Sequence, residues 1–327
     1  MEARSLRTTE AARQKLINAS ATVVATTTRV VVAPENEEAL PAPLVDWPSA
    51  DIVTIRLLSR EGRSFRYSTL MSEASARARV MVEKLRAHGY QALLVGGCVR
   101  DLLLGREPKD YDVATDARPE EVRTLFPQGE PVGAHFGVVL VDGVEVATFR
   151  SDGAYLDGRR PEQVVYEKSA EADAKRRDFT INGLFLDPVT GEVFDFVGGR
   201  EDLQAGRIRA IGDPDERFRE DHLRLLRAIR FAARFEYEIE SATWSAMARQ
   251  AARIVGIAAE RVRDELDRIL REGGARRGFE LLEESGLLVQ VLPEVSAMKG
   301  VAQPPEHHPE GDVWTHTRLM LEGLRQP

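Results

Sequence analysis

The sequence predicts a mixed α/β head, a small sheet with helices, followed by an all-α neck and body. Short apolar runs and a hairpin signal lie between Gln91 and Phe149, and beyond Gly212 helical periodicity continues without strand signals. At 327 residues the chain is long enough for two or three small domains with a sizeable buried core.

Residues 1–71 differ from the rest. A Thr- and Val-rich run from Thr22 to Val32 precedes a Pro/Glu/Ala stretch through Pro48, and the segment is read as a flexible leader. Its basic, hydroxyl-rich start hints at a transit peptide, against which Glu2 and Glu10 argue. Ser72 is suited to cap a helix running to about His88, with Val80, Leu85 and neighbouring alanines on one face and Gly89 as its stop. Gln91 to Val95 reads as a strand broken by Gly96-Gly97, and Val99 to Leu104 as a short helix closed by Gly105. Lys109 to Val113 is extended in character, and a helix follows at about Pro119 to Phe126. Gly137 to Asp142 and Val144 to Phe149 form a predicted hairpin with Asp142-Gly143 as its turn. The head, 72–212, ends near Gly212. Helices are expected over Glu216 to Phe235, Ser241 to Ile254, Ala259 to Arg271 and Arg276 to Ser285. They divide into a neck (213–272) and an RNA-binding body (273–300), with Pro293 and Gln303-Pro304-Pro305 marking breaks before a terminal segment (301–327).

The net charge of −8 argues at first against a nucleic-acid partner, but affinity for phosphate follows local patches. Arginines are dense between Arg200 and Arg277 and interleaved with acids, which fits a salt-bridged helical face as well as an RNA surface. No run of about 18 uninterrupted apolar residues exists, so no membrane partner is expected. A single cysteine, Cys98, excludes an intrachain disulfide framework and fits a reducing cytoplasm; it reads as a small buried packing residue.

Asp110 and Asp112 lie two apart, and on an extended strand they project to one face. Like charges so close are costly unless a cation neutralises them, and Mg²⁺ prefers such hard oxygen ligands. Gly96-Gly97 sits between a strand and a helix start, where exposed N–H groups receive phosphate. Glu145, an acid between valines, is the natural third carboxylate. An isolated Asp-x-Asp is more often a surface turn or a calcium-type loop. Joined to the glycine pair and the third acid, it points to metal-assisted nucleotidyl transfer.

Several motifs together resemble the class II tRNA nucleotidyltransferases and bacterial poly(A) polymerases of the polymerase-β-like superfamily. They are Leu94-Val-Gly-Gly-Cys-Val-Arg-Asp-Leu-Leu-Leu-Gly-Arg with Lys109-Asp-Tyr-Asp-Val-Ala-Thr, Arg176-Arg-Asp-Phe-Thr-Ile-Asn182, Asp195-Phe-Val-Gly-Gly-Arg-Glu-Asp-Leu203, Arg219-Glu-Asp-His-Leu-Arg-Leu-Leu-Arg-Ala-Ile-Arg-Phe231 and Glu260-Arg-Val-Arg-Asp-Glu-Leu266. The resemblance implies a nucleotidyltransferase head in which Asp110 and Asp112 bind two Mg²⁺ ions and Glu145 assists. It implies that Gly96, Gly97, Arg100, Arg177, Asp178 and Asn182 hold the triphosphate and ribose, with Arg227 and Arg230 in support. Guanidinium forks match phosphate oxygens, which suits the Arg pair to that task.

Asp221 and Arg224 are three apart and are expected to share a helix face. The resemblance makes them a protein template: Asp accepts from the amines of cytosine and adenine while Arg donates to ring acceptors. Ser151 to Pro161, with Asp152, Arg159 and Arg160, corresponds to the family's flexible loop, which influences the switch from C to A addition. The implied reaction adds C and A, or part of CCA, to tRNA 3′ ends from CTP and ATP and releases pyrophosphate, in the cytoplasm and with no DNA partner. A poly(A) polymerase on the same scaffold is the alternative, and a non-catalytic RNA-binding relic is the reading from a different class.

His307-His308-Pro-Glu-Gly-Asp-Val-Trp-Thr-His316 resembles the opening of an HD-type phosphohydrolase domain, whose metal site needs a His-Asp pair and a further acid downstream. His307, His308 and His316 are therefore expected to bind no functional metal, and hydrolase activity is expected to be absent.

Overall fold

The structure is a computed structural model that describes residues 31–32, 52–58, 64–70, 72–132, 137–152 and 164–324. They fall into two compact units, 1–149 with 166–170 and 184–194, and 150–165 with 171–183 and 195–327.

The first unit begins with three antiparallel strands, β1 (Val31–Val32), β2 (Ile52–Leu58) and β3 (Ser64–Leu70), in the order β1-β3-β2. The segment read as a leader thus contains regular structure. Helix α1 (Glu73–Ala87) starts where expected, because the Ser72 hydroxyl accepts from the Ser75 N–H and satisfies an orphan donor. It ends at Gly89, whose φ of +88° suits glycine. Its buried stripe is Ala78, Met81, Val82 and Leu85. Val80, placed on that face by the sequence reading, is 59% exposed, since at 100° per residue it falls off the stripe the others define.

The catalytic candidates ride on a seven-stranded mixed sheet. Its strands are β4 (Ala92–Val95), β5 (Asp112–Thr115), β6 (Glu130–Val132), β7 (Val138–Val141), β8 (Val144–Thr148), and, further along the chain, β11 (Leu184–Leu186) and β12 (Val193–Asp195), in the order β12-β11-β4-β5-β8-β7-β6. Within it β5 and β8 pair in parallel, and β4 meets β5 and β11 antiparallel. Helices α2 (Gly97–Leu103) and α3 (Pro119–Leu125) follow β4 and β5. The β7–β8 hairpin turns on Asp142 (φ +47°) and Gly143 (φ +81°), the left-handed pair expected of an Asp-Gly turn. All four β4 residues are buried, and Phe149 meets Phe185 edge-on at 6.3 Å, so the sheet is anchored by a packed apolar layer.

In the second unit β9 (Arg150–Asp152) pairs with β10 (Val164–Tyr166), and α4 (Ala170–Lys175) leads into a 3₁₀ turn at Thr180–Asn182. Then come α5 (Gly199–Ala205), β13 (Arg207–Ile208), α6 (Pro214–Glu220), α7 (Arg224–Phe235), β14 (Glu238–Ile239), α8 (Ser241–Gln250) and α9 (Ala259–Arg271). They are followed by α10 (Ala275–Glu284), α11 (Leu288–Val291), α12 (Pro293–Ser296) and α13 (Val313–Glu322). Two readings need correction. The helix expected from Glu216 to Phe235 is two helices, because Asp221 is extended (φ −147°, ψ 106°). Its carboxylate accepts from the Leu223 N–H and its carbonyl from the Arg224 N–H, a local alternative to the helical ladder. A strand also occurs beyond Gly212: β14 pairs in parallel with β13, and two residues are too few to register as periodicity.

Helix α7 is the spine of this unit, burying Leu225, Leu226, Ile229 and Phe231. Helix α10 packs on it through Gly274, whose φ is +72° and where an added Cβ would stand 2.2 Å from the Ala233 carbonyl oxygen. Only glycine permits that approach.

Candidate active site

The carboxylate group belongs to the first unit. Strand β5 opens at Asp112, and the chain before it alternates: Asp110 is exposed, Tyr111 is 2% exposed and Asp112 is half-buried. Burial of the ring pins Tyr111 inward, its hydroxyl reaching Glu107 at 3.4 Å, and that alternation leaves the two aspartates outward on either side. Parallel pairing then places Asp112 opposite Glu145 in register. Along β8, Val144, Val146 and Thr148 are buried while Glu145 is exposed, so Glu145 projects from the polar face. Behind Asp112, the Cys98 thiol donates to the Val95 carbonyl (3.2 Å), and burial pushes the thiol up to about 12. It is a neutral packing group.

Two oxygen-donor side chains in register on paired strands, with a third two residues before the first, suit a hard divalent cation. The sequence-predicted acids do not form a closed cage, however. Among the described residues the one group of three potential metal ligands within 4.8 Å of one another is His308, Glu310 and His316. Gly96, with φ +77° and ψ −129°, makes the turn from β4 into α2, and its N–H donates to the Leu184 carbonyl. Arg100 is 4% exposed and bridges to Asp101 at 2.8 Å, so this arginine braces α2.

The arginine-rich motif belongs to the second unit. Asp173, 1% exposed, accepts from Arg176 (2.7 Å) and Arg177 (2.8 Å), which holds both guanidinium groups in place. Asp178 is buried and accepts from the Phe179 N–H, the Asn182 amide (3.0 Å) and Arg227 Nε (2.8 Å). Burial pushes its carboxyl up, but Arg227 and Asn182 outweigh this and hold it well below the usual range. Asp178 is thereby committed to orienting Asn182 and Arg227. Arg230, 5% exposed, is equally committed: it pairs with Glu265 (2.8 Å) and Glu272 (3.1 Å), fastening α7 to α9.

Asp221 and Arg224 do not share a helix face. Asp221 lies in the break between α6 and α7, and its Oδ2 accepts from Arg261 of α9 at 2.8 Å. Arg224 begins α7 and pairs with Glu220, while its guanidinium also donates to the carbonyls of Arg217 (2.9 Å) and Arg176 (3.2 Å). Arg217 donates to the carbonyls of Ile211, Arg176 and Lys175, tying this turn to the arginine motif. Glu220, Asp173 and Arg261 are the partners that sequence reading missed as site residues. Asp173 carried a signal, its i,i+3 and i,i+4 spacing to Arg176 and Arg177; Arg261, forty positions from Asp221, carried none. Arg159 and Arg160 lie outside the described residues, as does the side chain of Asp152.

Two family models match. Residues 92–209 match the "Poly A polymerase head domain", and residues 236–299 the "Probable RNA and SrmB- binding site of polymerase A". A CCA-adding enzyme of Lactococcus lactis is 42% identical over 240 residues, covering 71% of this chain and 60% of that protein. One of Geobacillus stearothermophilus is 43% identical over 211 residues, covering 63% and 52%. The crystal structure of the Bacillus stearothermophilus CCA-adding enzyme in complex with CTP is similar at a TM-score of 0.61 and 39% identity, over 66% of this chain and 53% of that one. That of the Thermotoga maritima CCA-adding enzyme complexed with tRNA gives 0.57 and 26%, over 68% and 54%. The chain spans between half and three fifths of the length of these relatives.

Proposed function

We propose, since this chain belongs to the family of tRNA nucleotidyltransferases and poly(A) polymerases, that it adds C and A, or part of the CCA end, to tRNA 3′ termini. CTP and ATP are the substrates and pyrophosphate the product. The observation that carries this reading is Asp112 in register with Glu145, two residues after Asp110, inside the matched head domain.

Asp110 and Asp112 are the residues that would hold two Mg²⁺ ions, with Glu145 as the neighbouring acid. Metal ions held by these carboxylates would supply Lewis-acid chemistry, lowering the pKa of the attacking 3′ hydroxyl and steadying the leaving pyrophosphate. Gly96 and Gly97 shape the turn before α2, and Arg100 braces it. Arg177 and Asn182 face the triphosphate and ribose, with Asp173 and Asp178 holding them in position. Arg227 supports the nucleotide, and Arg230 does so through the α7–α9 bracing it provides. Asp221 and Arg224 select the base. Both have protein partners that fix them: Arg261 holds the Asp221 carboxylate in place while the cytosine or adenine amine donates to it, and the ring acceptor receives from Arg224. Uracil and guanine present a carbonyl oxygen at that position, which repels the carboxylate. Asp152, Arg159 and Arg160 belong to the loop that tunes the C-to-A switch.

The domain division follows the same reading: 1–71 leader, 72–212 catalytic head, 213–272 neck, 273–300 RNA-binding body and 301–327 HD-like segment. No helix among the described residues is long and apolar enough to cross a membrane, and a cytoplasmic location fits the single buried thiol.

The test supplies tRNAs lacking one, two or three terminal nucleotides with labelled CTP or ATP. Stepwise restoration that stops at CCA supports the reading. The name of the matched head domain favours one alternative, poly(A) synthesis, and long A-tails on unrelated RNA would establish that instead.

A further inference from the structure

We propose that His308, Glu310 and His316 form a binding site for one divalent transition metal, zinc-like in its preferences, separate from the Mg²⁺ carboxylates. This reverses the expectation that these histidines bind none, and it draws on none of the downstream residues that an HD-type hydrolase site needs.

The Nδ1 atoms of His308 and His316 converge on the same carboxylate oxygen of Glu310, at 3.1 and 2.5 Å. The two rings are 4.9 Å apart and nearly perpendicular, at 86°, so each nitrogen lone pair can be aimed at a shared point. Four ligands at about 2.0–2.1 Å in a tetrahedron stand roughly 3.4 Å apart. The His308–Glu310 separation is already close to such an edge, and His316 must draw back by under about 1 Å to match it. Two imidazole nitrogens and one carboxylate oxygen are borderline and hard donors that suit zinc, cobalt or nickel better than magnesium.

The backbone presents these groups without requiring them to fold onto the metal. The Pro304 carbonyl accepts from the N–H groups of His307 and His308, forming a turn. Gly311, at φ +124°, then reverses the chain in a conformation that only glycine adopts readily. Asp312 caps α13 by accepting from the Thr315 N–H, and its second oxygen accepts from the Gly300 N–H. That cap puts His316 on the first turn of α13, back under Glu310. Trp314, 3% exposed, anchors the same turn by donating to Glu283 at 2.7 Å.

Electrostatics favour a cation. The Glu310 carboxylate, already in contact with both imidazoles, supplies the negative charge that a cation held between the rings would meet. Neutral rings carry the proton on Nδ1 in the hydrogen-bonded form and on Nε2 in the metal-bound form, so loading exchanges tautomers and needs no other reactant. All three side chains are partly exposed, at 30%, 21% and 38%, which leaves coordination positions open to water. His307 takes no part in the cluster and serves as an internal control.

The experiment titrates Co²⁺ into the metal-stripped full chain in excess Mg²⁺, which keeps the hard carboxylate sites filled. The expected result is one Co²⁺ per chain with visible ligand-field bands, and a rise in melting temperature with Zn²⁺. His308→Ala, His316→Ala and Glu310→Gln should each weaken binding at least about 10-fold, while His307→Ala leaves it unchanged. Zinc should also protect His308 and His316, but not His307, from diethyl pyrocarbonate in the unsubstituted protein, a readout that needs no variant to fold. Absence of the bands, binding that survives all three substitutions, or equal modification of the histidines with and without zinc would overturn the proposal. None of these outcomes bears on nucleotide addition, so the two readings stand or fall apart.

Discussion

Asp112 and Glu145 face one another in register on the parallel strands β5 and β8, although they are 33 positions apart in the chain. Parallel pairing sets both side chains on the same face of the sheet, and the buried valines beside Glu145 leave it nowhere else to point. This pairing, with Asp110 two residues away, is what makes a metal-dependent transfer chemically reasonable.

Removing either end of this pairing should stop nucleotide addition with little effect on folding, because the three carboxylates lie at the polar surface. Asp110→Ala and Asp112→Ala should lower incorporation at saturating nucleotide by more than about 100-fold, beyond the usual effect of an outer-shell partner, and Glu145→Gln by about 10–100-fold. Single-turnover incorporation beside a thermal melt checks this. Full activity in Asp112→Ala would remove the metal assignment.

The Asp221–Arg261 contact should govern selectivity more than rate. Asp221→Ala should let UTP compete with CTP, since the carboxylate that rejects a carbonyl oxygen is gone. Arg261→Ala should raise KM for CTP and ATP together and erode discrimination by about 10-fold, because Asp221 loses the partner that holds its rotamer. Competition assays with mixed nucleotides measure both effects. Unchanged selectivity in Asp221→Ala would move base reading elsewhere.

Asp178 ties stability to pH. Its folded carboxyl is held below the unfolded value, so its contribution is complete above about pH 4 and is lost as pH falls through the folded value. Asp178→Asn removes the buried anion nearest Arg227, leaving Glu265 at 4.0 Å, and should cost about 3 kcal/mol at neutral pH. Urea unfolding at neutral pH and again near pH 3 should show the gap between the two proteins shrinking in acid. A gap of equal size at both would mean that charge is not its source.

Gly274→Ala should be among the most damaging small substitutions. The added Cβ meets a backbone carbonyl rather than a flexible side chain, and the backbone already has a positive φ. A loss of more than about 2 kcal/mol is expected, whereas Gly286→Ala, with positive φ but open space, should cost only the backbone strain of about 1 kcal/mol. Chemical denaturation of the two variants separates packing from conformation.

Much of the first unit could be read from residues alone. Ser72, Gly89, Asp142-Gly143 and the alternation around Tyr111 are local signals, and the structure obeys each of them because capping, positive φ and strand periodicity act over a few residues. The break at Asp221 was not legible. Residues 216–235 are strong helix formers, and only the side chain of Asp221, bonded to the next turn, favours a stop there. The same limit hid Arg261 and Glu265.

What the sequence determined by itself was composition-scale and local: a head with short strands, helices after it, and a set of acids and arginines in motif order. Tertiary structure decided which charges meet. Asp221 pairs with Arg261 and not with Arg224, Asp178 with Arg227, and His308 and His316 with Glu310. Sequence spacing governs neighbours within one turn or one strand. Partners on different elements are chosen by packing, since a buried charge must find its counter-charge wherever the fold brings one.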